Sequence, residues 1–220
     1  MKYYAVKVGR STGIFNSWGT CKEQVLNYSG AIYKSFESRE EAERYLDSEE
    51  PGKDINSNLP FAFIDGSYSR KNSLYGWGGY IDNYGDIHII QGTGSASDYI
   101  KYRNITGEVR GALEVIKQAI SLGIPELNLY YDYAGIENWA SESWKCNNDL
   151  SKFYQRYYLQ RRSKVKINFI HVKGHTGNTG NTIADLLAKE IVGAKLRKKD
   201  TAMLQKFKQR GTINGSNSNC

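Results

Sequence analysis

The first 48 residues consist of short apolar stretches separated by charged and turn-forming positions. Aromatic and β-branched side chains, which favour strands, are concentrated at residues 2–8, 14–18 and 31–36. The Ser/Thr-x-x-Glu pattern that begins many helices occurs at 20–23 and again at 38–41. The pattern predicts a small unit of three strands and two helices, with Trp18 at the end of the second strand.

A second pattern occupies residues 60–192 and predicts a larger α/β domain. Five strands are expected at 61–67, 75–81, 87–90, 127–131 and 165–172. Helices are expected at 108–122, where apolar residues recur at three-to-four spacing, over most of 133–162, and at about 181–192. Three consecutive strands followed by alternating helices and strands predict a mixed five-stranded sheet flanked by helices.

Two segments lack the pattern of a packed element. Residues 49–59 contain Pro, Gly, Asp, Asn and Ser with few apolar side chains, which predicts a linker. In the tail, 193–220, residues 195–210 have the pattern of a basic amphipathic helix. Residues 211–220 are rich in Gly, Ser and Asn and are expected to lack regular structure. The tail could bind nucleic acid or act as an unstructured solubiliser.

The net charge of +7 is unevenly distributed along the chain. Residues 49–136 carry seven Lys/Arg against eleven Asp/Glu, whereas residues 137–166 carry seven against three. The tail carries seven against one, so it accounts for most of the net positive charge. An acidic segment followed by a basic one fits a polyanion-binding protein whose active site holds cations, although an ordinary solvated surface would also fit.

The cysteines and the hydropathy indicate the expected compartment. The three cysteines, Cys21, Cys146 and Cys220, are far apart, so neither a disulfide framework nor a zinc site is expected. No segment has the apolar length of a signal peptide or of a membrane span, which needs roughly 20 residues. A soluble cytoplasmic protein that makes no membrane contact is therefore expected.

Four carboxylates occupy positions where a solvated charge is unusual. Asp65 interrupts an apolar strand, Asp132 closes another, and Asp185 lies among apolar residues of the last helix. Glu108 stands at the start of a predicted helix. Taken singly, Glu108 could be a charge that favours the helix dipole, and Asp65 and Asp132 could be turn residues.

Taken together, the four carboxylates suggest a metal site. Oxygen ligands on rigid elements suit hard cations such as Mg²⁺ and Mn²⁺. Two such ions about 4 Å apart can activate a water and stabilise the leaving oxygen in phosphodiester hydrolysis. Four converging negative charges would otherwise repel one another, so we expect a cation among them if they converge.

Four motifs resemble type 1 ribonuclease H over residues 60–192. They are FIDGSY around Asp65, RNITGE ending at Glu108, YYDYAGIENW around Asp132, and VKGHTGNTGNTIADLLAKE around Asp185. The resemblance implies that these four carboxylates hold two Mg²⁺ ions, with Mn²⁺ able to substitute. It also implies that His175, ten residues before Asp185, assists proton transfer or product release. A loop histidine that is merely solvated is the alternative for His175.

The same resemblance implies contacts to the substrate. Asn104 matches an asparagine that contacts the RNA 2′-hydroxyl, and Asn181 also matches a polar position of the family. Lys101 and Arg103 could hold a DNA phosphate or could be solvated. Tyr133 stands where the family often has a small polar residue, which leaves the details of 2′-hydroxyl recognition open.

Trp139, Trp144 and Lys145 lie in the basic segment and resemble the family's basic protrusion, which packs on the DNA strand. Aromatic rings combined with a cation suit contacts to sugar and phosphate. For Trp139 a position in the core is the alternative. Trp144, between Ser143 and Lys145, is the better candidate for binding.

The N-terminal unit resembles the hybrid-binding domain of some ribonucleases H, which also occurs in viroplasmin-type proteins. The stretches YYAVKVGRSTGIFNSW and AIYKSF carry this resemblance. It implies stacking and phosphate contacts by Tyr4, Trp18, Tyr33 and Lys34, although Tyr4 and Tyr33 could instead be strand core. Ser35 stands where the family has a lysine, which predicts weaker binding.

The expected function is cleavage of the RNA strand of RNA–DNA hybrids, leaving 5′-phosphate and 3′-hydroxyl ends. A non-catalytic binder of hybrid or double-stranded RNA, and a nuclease of the same fold that acts on DNA, are the alternatives. The expected domains are hybrid-binding at 1–48, linker at 49–59, catalytic at 60–192 and a basic, partly disordered tail at 193–220. A monomer without an obligate protein partner is expected, and the flexible tether should favour processive cutting.

Overall fold

The computed structural model describes residues 2–26, 28, 32–47, 58–172 and 178–215. The chain divides into two units, Met1–Ser57 and Asn58–Cys220. Each unit has its own sheet. Most of the predicted linker and the loop that contains His175 lie outside the described residues.

The N-terminal unit is a three-stranded antiparallel sheet with two helices. Its elements are β1 Tyr3–Val8, β2 Gly13–Phe15, α1 Trp18–Val25, β3 Ile32–Phe36 and α2 Arg39–Asp47. The central strand β1 pairs with β2 on one side and with β3 on the other. Among the described residues of this unit, Val6, Cys21 and Val25 form a core cluster, against which Tyr4 and Phe15 pack.

The first helix begins earlier than the sequence pattern predicted. Ser17 is its N-cap, and the Ser17 hydroxyl oxygen accepts a hydrogen bond from the Thr20 backbone amide at 3.2 Å. Trp18 is therefore the first residue of α1, and its predicted place at a strand end is wrong. Serine and threonine are both good caps, so the sequence alone does not distinguish Ser17 from Thr20. The second predicted start is confirmed, since the Glu41 amide donates to the Ser38 hydroxyl at 3.2 Å.

The larger unit contains a six-stranded mixed sheet. Its strands are β4 Phe61–Ser69, β5 Leu74–Asn83, β6 Asp86–Gly94, β7 Glu126–Tyr131, β8 Lys166–His171 and β9 Gly211–Gly215. Its helices are α3 Ser97–Ile100, α4 Asn104–Ser121, α5 Gly135–Ala140, α6 Asp149–Leu159, α7 Thr179–Ile191 and α8 Lys198–Lys208. The strand order is β8-β7-β4-β5-β6-β9, with β4, β5 and β6 antiparallel and the other neighbours parallel. The predicted mixed sheet is confirmed, with β9 as an additional edge strand.

Helices cover both faces of this sheet, so the residues of β5 from Tyr75 to Ile81 are all buried. On one face α4, α5 and α6 pack over a core that includes Ile64, Trp77, Val109, Ile116 and Leu129. On the other face α7 and α8 pack over a core that includes Phe63, Tyr80, Ile89, Leu187 and Phe207. The alternation of Phe63 and Ile64 along β4 assigns each to one of the two cores.

The tail is more ordered than its composition predicted. Residues 195–210 include the expected helix, α8, but residues 211–215 form β9, which pairs in parallel with β6 from Ile87 to Gln91. The expectation that regular structure ends at Gly211 is therefore wrong. An open sheet edge offers backbone hydrogen bonds whatever the side chains are, so a Gly- and Asn-rich segment can pair there.

Candidate active site

Three carboxylates converge at the centre of the larger sheet. Asp65 lies on β4, Glu108 on α4 and Asp132 directly after β7, and one oxygen from each lies within 4.8 Å of the others. Asp65 is 9% exposed and Glu108 is 2% exposed. Rigid elements of the main sheet and its longest helix therefore hold these three side chains in one place.

Close backbone packing positions Glu108. A side chain at Gly66 would collide with the carbonyl oxygen of Asn104 and the amide nitrogen of Glu108, so glycine lets α4 lie directly on β4. The Gly66 amide donates hydrogen bonds to Glu108 Oε1 at 2.9 Å and to Asp65 Oδ1 at 2.7 Å. Because α4 begins at Asn104, Glu108 lies beyond its first turn, and the interpretation of Glu108 as a helix-capping charge does not hold.

Burial and mutual repulsion make this cluster electrostatically unfavourable without a counter-charge. Desolvation raises the pKa of Asp65 to about 7, and the charges of Asp132 and Asp185 add to the rise. Desolvation, followed by the charges of Asp65 and Asp132, raises the pKa of Glu108 well above its ordinary value. Glu108 Oε2 is buried without a hydrogen-bond partner among the described residues. This unpartnered oxygen and the all-carboxylate donor set fit a divalent cation.

Asp185 lies near this cluster but outside its 4.8 Å group. Its carboxylate Oδ2 accepts a hydrogen bond from Lys189 Nζ, one turn later on α7, at 2.7 Å. A side chain at Gly78 would collide with the backbone of α7 at Ala184 and Ala188, so this glycine brings α7 close to the sheet. The structure thus unites three of the four predicted carboxylates and places the fourth within electrostatic range of Asp65.

Two residues beside the carboxylates were not predicted from the sequence. His171 Nε2 donates to the backbone carbonyl of Asp132 at 3.0 Å and so fixes the turn that presents this carboxylate. Lys189 holds Asp185 as described above. The spacing of four between Asp185 and Lys189 on a predicted helix was a signal for that pair. His171 carried no comparable signal, because its contact joins positions far apart in the sequence. His175 lies outside the described residues, so its predicted role stays a prediction.

The predicted contacts near α4 and α7 differ in exposure. Asn104, the first residue of α4, is exposed, as are Lys101 and Arg103 before it. Arg103 has a φ of 53°, an unusual conformation for a residue other than glycine. Asn181 is instead 7% exposed, and its Oδ1 has no hydrogen-bond partner in the part of the chain that the structure describes.

The predicted basic protrusion contains a cavity of about 410 Å³ lined by Trp139, Ser143, Trp144, Lys145, Asn147 and Asn148. Trp139 is 7% exposed and belongs to the core, whereas Trp144 is 45% exposed. Lys145 is exposed beside Trp144. Trp139 is therefore a core residue, as the alternative predicted. It can contact a ligand only through the part of its ring that lines this cavity.

Tyr133 directly follows Asp132 and is partly buried. Its ring packs against Trp139, with centroids 5.6 Å apart, and lies so close to Gly135 that a side chain there would collide with it. Desolvation, and then the charge of Glu108, raises the pKa of Tyr133. The bulky residue at this position is thus accommodated beside the carboxylates.

In the N-terminal unit three aromatic rings form one cluster. The Trp18 ring centroid lies 5.8 Å from that of Tyr4 and 5.7 Å from that of Tyr33. Trp18 is 44% exposed and Tyr33 is 43% exposed, so Tyr33 is not a core residue. Lys34 is exposed next to Tyr33, and its Nζ lies 5.4 Å from the centre of the Phe36 ring. We call Tyr4, Trp18 and Tyr33 the aromatic cluster.

Comparison with known proteins identifies relatives of both units. The mouse protein "Ribonuclease H1" is 26% identical over 262 residues, which cover 88% of this chain and 89% of that protein. A "Ribonuclease H" of Saccharomyces cerevisiae is 57% identical over 44 residues, but the match spans only 13% of its length. The crystal structure of RNase H1 from Halobacterium salinarum NRC-1 aligns with a TM-score of 0.49 at 20% identity, covering 61% of this chain and 97% of that one.

Family models match the two units separately. The model described as "Ribonuclease H1 N-terminal domain" matches residues 2–46, within the N-terminal unit. The model described as "RNase H" matches residues 60–192, more than half of the chain, and includes all four carboxylates. The chain therefore belongs to the ribonuclease H family and carries the N-terminal domain of ribonuclease H1 ahead of its RNase H domain.

Proposed function

We propose that this protein hydrolyses the RNA strand of RNA–DNA hybrids and leaves 5′-phosphate and 3′-hydroxyl ends. The single observation that carries the proposal is the convergence of Asp65, Glu108 and Asp132, two of them buried, inside an RNase H domain. Together with Asp185 these residues would hold two Mg²⁺ ions, with Mn²⁺ able to substitute. Two bound divalent ions would supply an activated water and neutralise the charge on the leaving oxygen.

The residues around the carboxylates have distinct tasks in this proposal. Gly66 orients Glu108 through its amide, and His171 fixes the turn that carries Asp132. Lys189 donates a hydrogen bond to Asp185, which would help to hold a metal ion together with the three clustered carboxylates. His175 assists proton transfer or product release, as the family resemblance implies.

Substrate choice is assigned to residues outside the cluster. Asn104 and Asn181 contact the RNA strand, and Lys101 and Arg103 contact a DNA phosphate. Trp144 and Lys145 pack on the DNA strand, with Trp139 supporting them from the core. Exposure supports most of these assignments. Lys101, Arg103 and Asn104 are exposed at the start of α4, and Trp144 and Lys145 are exposed after the end of α5. Asn181 and Trp139 are buried, so exposure does not support them.

The N-terminal unit adds affinity rather than chemistry. Exposed rings in the aromatic cluster can stack on sugars or bases, and Lys34 can hold a phosphate. A binding unit tethered to the catalytic unit raises the local concentration of substrate, which favours repeated cuts on one hybrid.

The part of the chain that the structure describes contains no helix long and apolar enough to cross a bilayer. We further propose that the protein is a monomer and that it acts in the cytoplasm. The free thiols of Cys21 and Cys146 fit this reducing compartment.

The test is cleavage of matched RNA–DNA, RNA–RNA and DNA–DNA duplexes with Mg²⁺, with Mn²⁺ and with a chelator. We expect cleavage of the hybrid alone, in its RNA strand, and only with metal present. The Asp132→Asn variant is expected to bind the hybrid without cutting it. Equal cleavage of the DNA duplex, or an undiminished rate in Asp132→Asn, would contradict the proposal.

A further inference from the structure

The segment after the RNase H match is docked on the domain in a fixed orientation. The family match ends at residue 192, yet α8 buries Leu204 and Phe207 against the core that lies under α7. The Phe207 ring packs edge-on against Tyr80, with centroids 4.8 Å apart. Pairing of β9 with β6 fixes the other end of α8. One face of α8 is therefore held inward, and the opposite face must point to solvent.

The solvent face of α8 is positive throughout. Lys198, Lys199 and Lys206 are exposed on it, and Lys195 and Arg210 are exposed at its two ends. Among the described residues these five cations form no ion pair, whereas Lys208 pairs with Glu190. We call these five residues the α8 basic surface.

The distribution of acidic residues distinguishes this face from an ordinary solvated helix. Residues 193–215 contain one acidic residue, Asp200, and its side chain is only 14% exposed because it pairs with Arg197 at 2.5 Å. Solvated helix faces usually mix both signs of charge. The outward residues between the lysines are Thr201, Ala202 and Gln205, so the face offers no large apolar group for a membrane or an apolar groove.

The α8 basic surface begins beside α7, the helix that carries Asp185. The pKa of Asp200 is held below its ordinary value by the hydrogen bond from Arg197, and the charges of Lys199 and Lys189 add to that effect. Lys189 is the residue that pairs with Asp185. The amino-terminal end of α8 is thus within electrostatic range of the cation that holds the fourth carboxylate. Eleven helical residues extend about 16 Å, which corresponds to roughly five nucleotides along one strand of a duplex.

We propose that the α8 basic surface binds the phosphate backbone of the hybrid outside the cleavage site, independently of sequence. The proposal rests on the function proposed above, because that function brings a long polyanion to the carboxylates, and one of them, Asp185, lies on α7, which pairs with α8 through Glu190 and Lys208. Lysines on a helix docked in one orientation would add phosphate contacts that position the duplex without reading bases. The surface would extend the footprint of the catalytic unit beyond the residues that contact the scissile strand.

The experiment compares two triple variants of the full chain. Lys198→Gln/Lys199→Gln/Lys206→Gln removes three charges from the α8 basic surface. The control, Lys117→Gln/Lys164→Gln/Lys166→Gln, removes three exposed charges elsewhere. In the control, Lys166 pairs with Glu126 at the start of β7, the end of that strand opposite to Asp132. Thermal unfolding of both variants verifies that the fold is retained.

Hybrid affinity is measured without divalent metal, on hybrids of about 8 and about 30 base pairs, from about 50 to about 200 mM salt. For the longer hybrid, we expect the α8 variant to bind on the order of tenfold more weakly at the lowest salt. The slope of log K against log salt should become shallower by about 0.9 for each phosphate that the variant no longer neutralises. The shorter hybrid and the control variant should show a smaller change, and Lys→Arg at the same three positions should retain wild-type affinity.

Equal affinities and equal salt slopes for the α8 variant, the control and the wild type would overturn the inference and leave the lysines as a solvated face. A decrease in affinity that is the same for both hybrid lengths would also overturn it, since the surface would then act at the cleavage site. Failure of the wild type to cut hybrids, with the α8 dependence of binding intact, would refute the proposed function and not this surface.

Discussion

In the carboxylate cluster charged groups are buried, whereas in the aromatic cluster of the N-terminal unit apolar rings are exposed. Glu108 is 2% exposed and has an oxygen without a hydrogen-bond partner among the described residues. Trp18 and Tyr33 are each more than 40% exposed. Both arrangements are unfavourable for the isolated protein, because water is removed from charge in one and left against apolar surface in the other.

The difference indicates what each region binds. Buried carboxylates on rigid elements select a small, strongly charged ligand whose position must be exact, such as a metal ion. Exposed rings on the N-terminal unit accept a larger and more variable ligand, such as stacked nucleotides. Changes in the first region should therefore abolish the chemical step, and changes in the second should weaken binding.

The largest effect is expected from Glu108→Gln. The variant keeps the shape and the hydrogen bond to the Gly66 amide but removes the charge that a metal ion requires. We expect kcat on the hybrid to fall by about 10³-fold or more, with hybrid affinity within a few-fold of wild type. Steady-state kinetics and a separate binding titration check both numbers. Glu114→Gln, on the same helix and paired with Lys117 at the surface, is the matched control. A wild-type kcat in Glu108→Gln would show that this carboxylate does not hold the metal.

A smaller effect, on stability, is expected from Asp65→Asn in metal-free protein. The Asp65 pKa is about 7 in the folded state against 3.8 as its ordinary value, so folding opposes ionisation. The resulting penalty is absent below about pH 4, grows as the pH rises to about 7, and is complete above it. We expect Asp65→Asn to be more stable than wild type by a few kcal/mol at about pH 8, on the order of the pKa difference, and equal to it at about pH 4.

Denaturant unfolding with a chelator present, at several pH values, measures this difference. Saturating Mg²⁺ should stabilise the wild type and not the variant, because a ligand that binds only the folded state adds stability. A stability difference that does not change with pH would mean that Asp65 is not a strained carboxylate in the metal-free protein. That outcome would also remove the electrostatic reason for expecting a cation there.

The two regions also differ in how well the sequence predicted them. Asp65 and Asp132 could be predicted because a charge inside or at the end of an apolar strand is conspicuous. The assignment of Trp18 to a strand end was wrong because Ser17 and Thr20 are equally good caps. Strand β9 could not be predicted, because its pairing depends on the open edge of β6 and not on its own side chains. The contact of His171 with Asp132 likewise depends on the neighbouring positions of β7 and β8.

The smallest effect is expected from Trp18→Ala, which removes the middle ring of the aromatic cluster. We expect hybrid affinity to fall on the order of tenfold, since one stacked base contributes roughly 1–3 kcal/mol, while metal-dependent cleavage of short hybrids continues. Tyr28→Ala removes an exposed ring of the same unit that lies outside the cluster, and it should bind like the wild type. The decisive measurement is the number of cuts per encounter on a long hybrid, because the tethered unit acts by keeping the substrate close. If Trp18→Ala lowered kcat and left affinity and processivity unchanged, the division between a region for chemistry and a region for binding would be wrong.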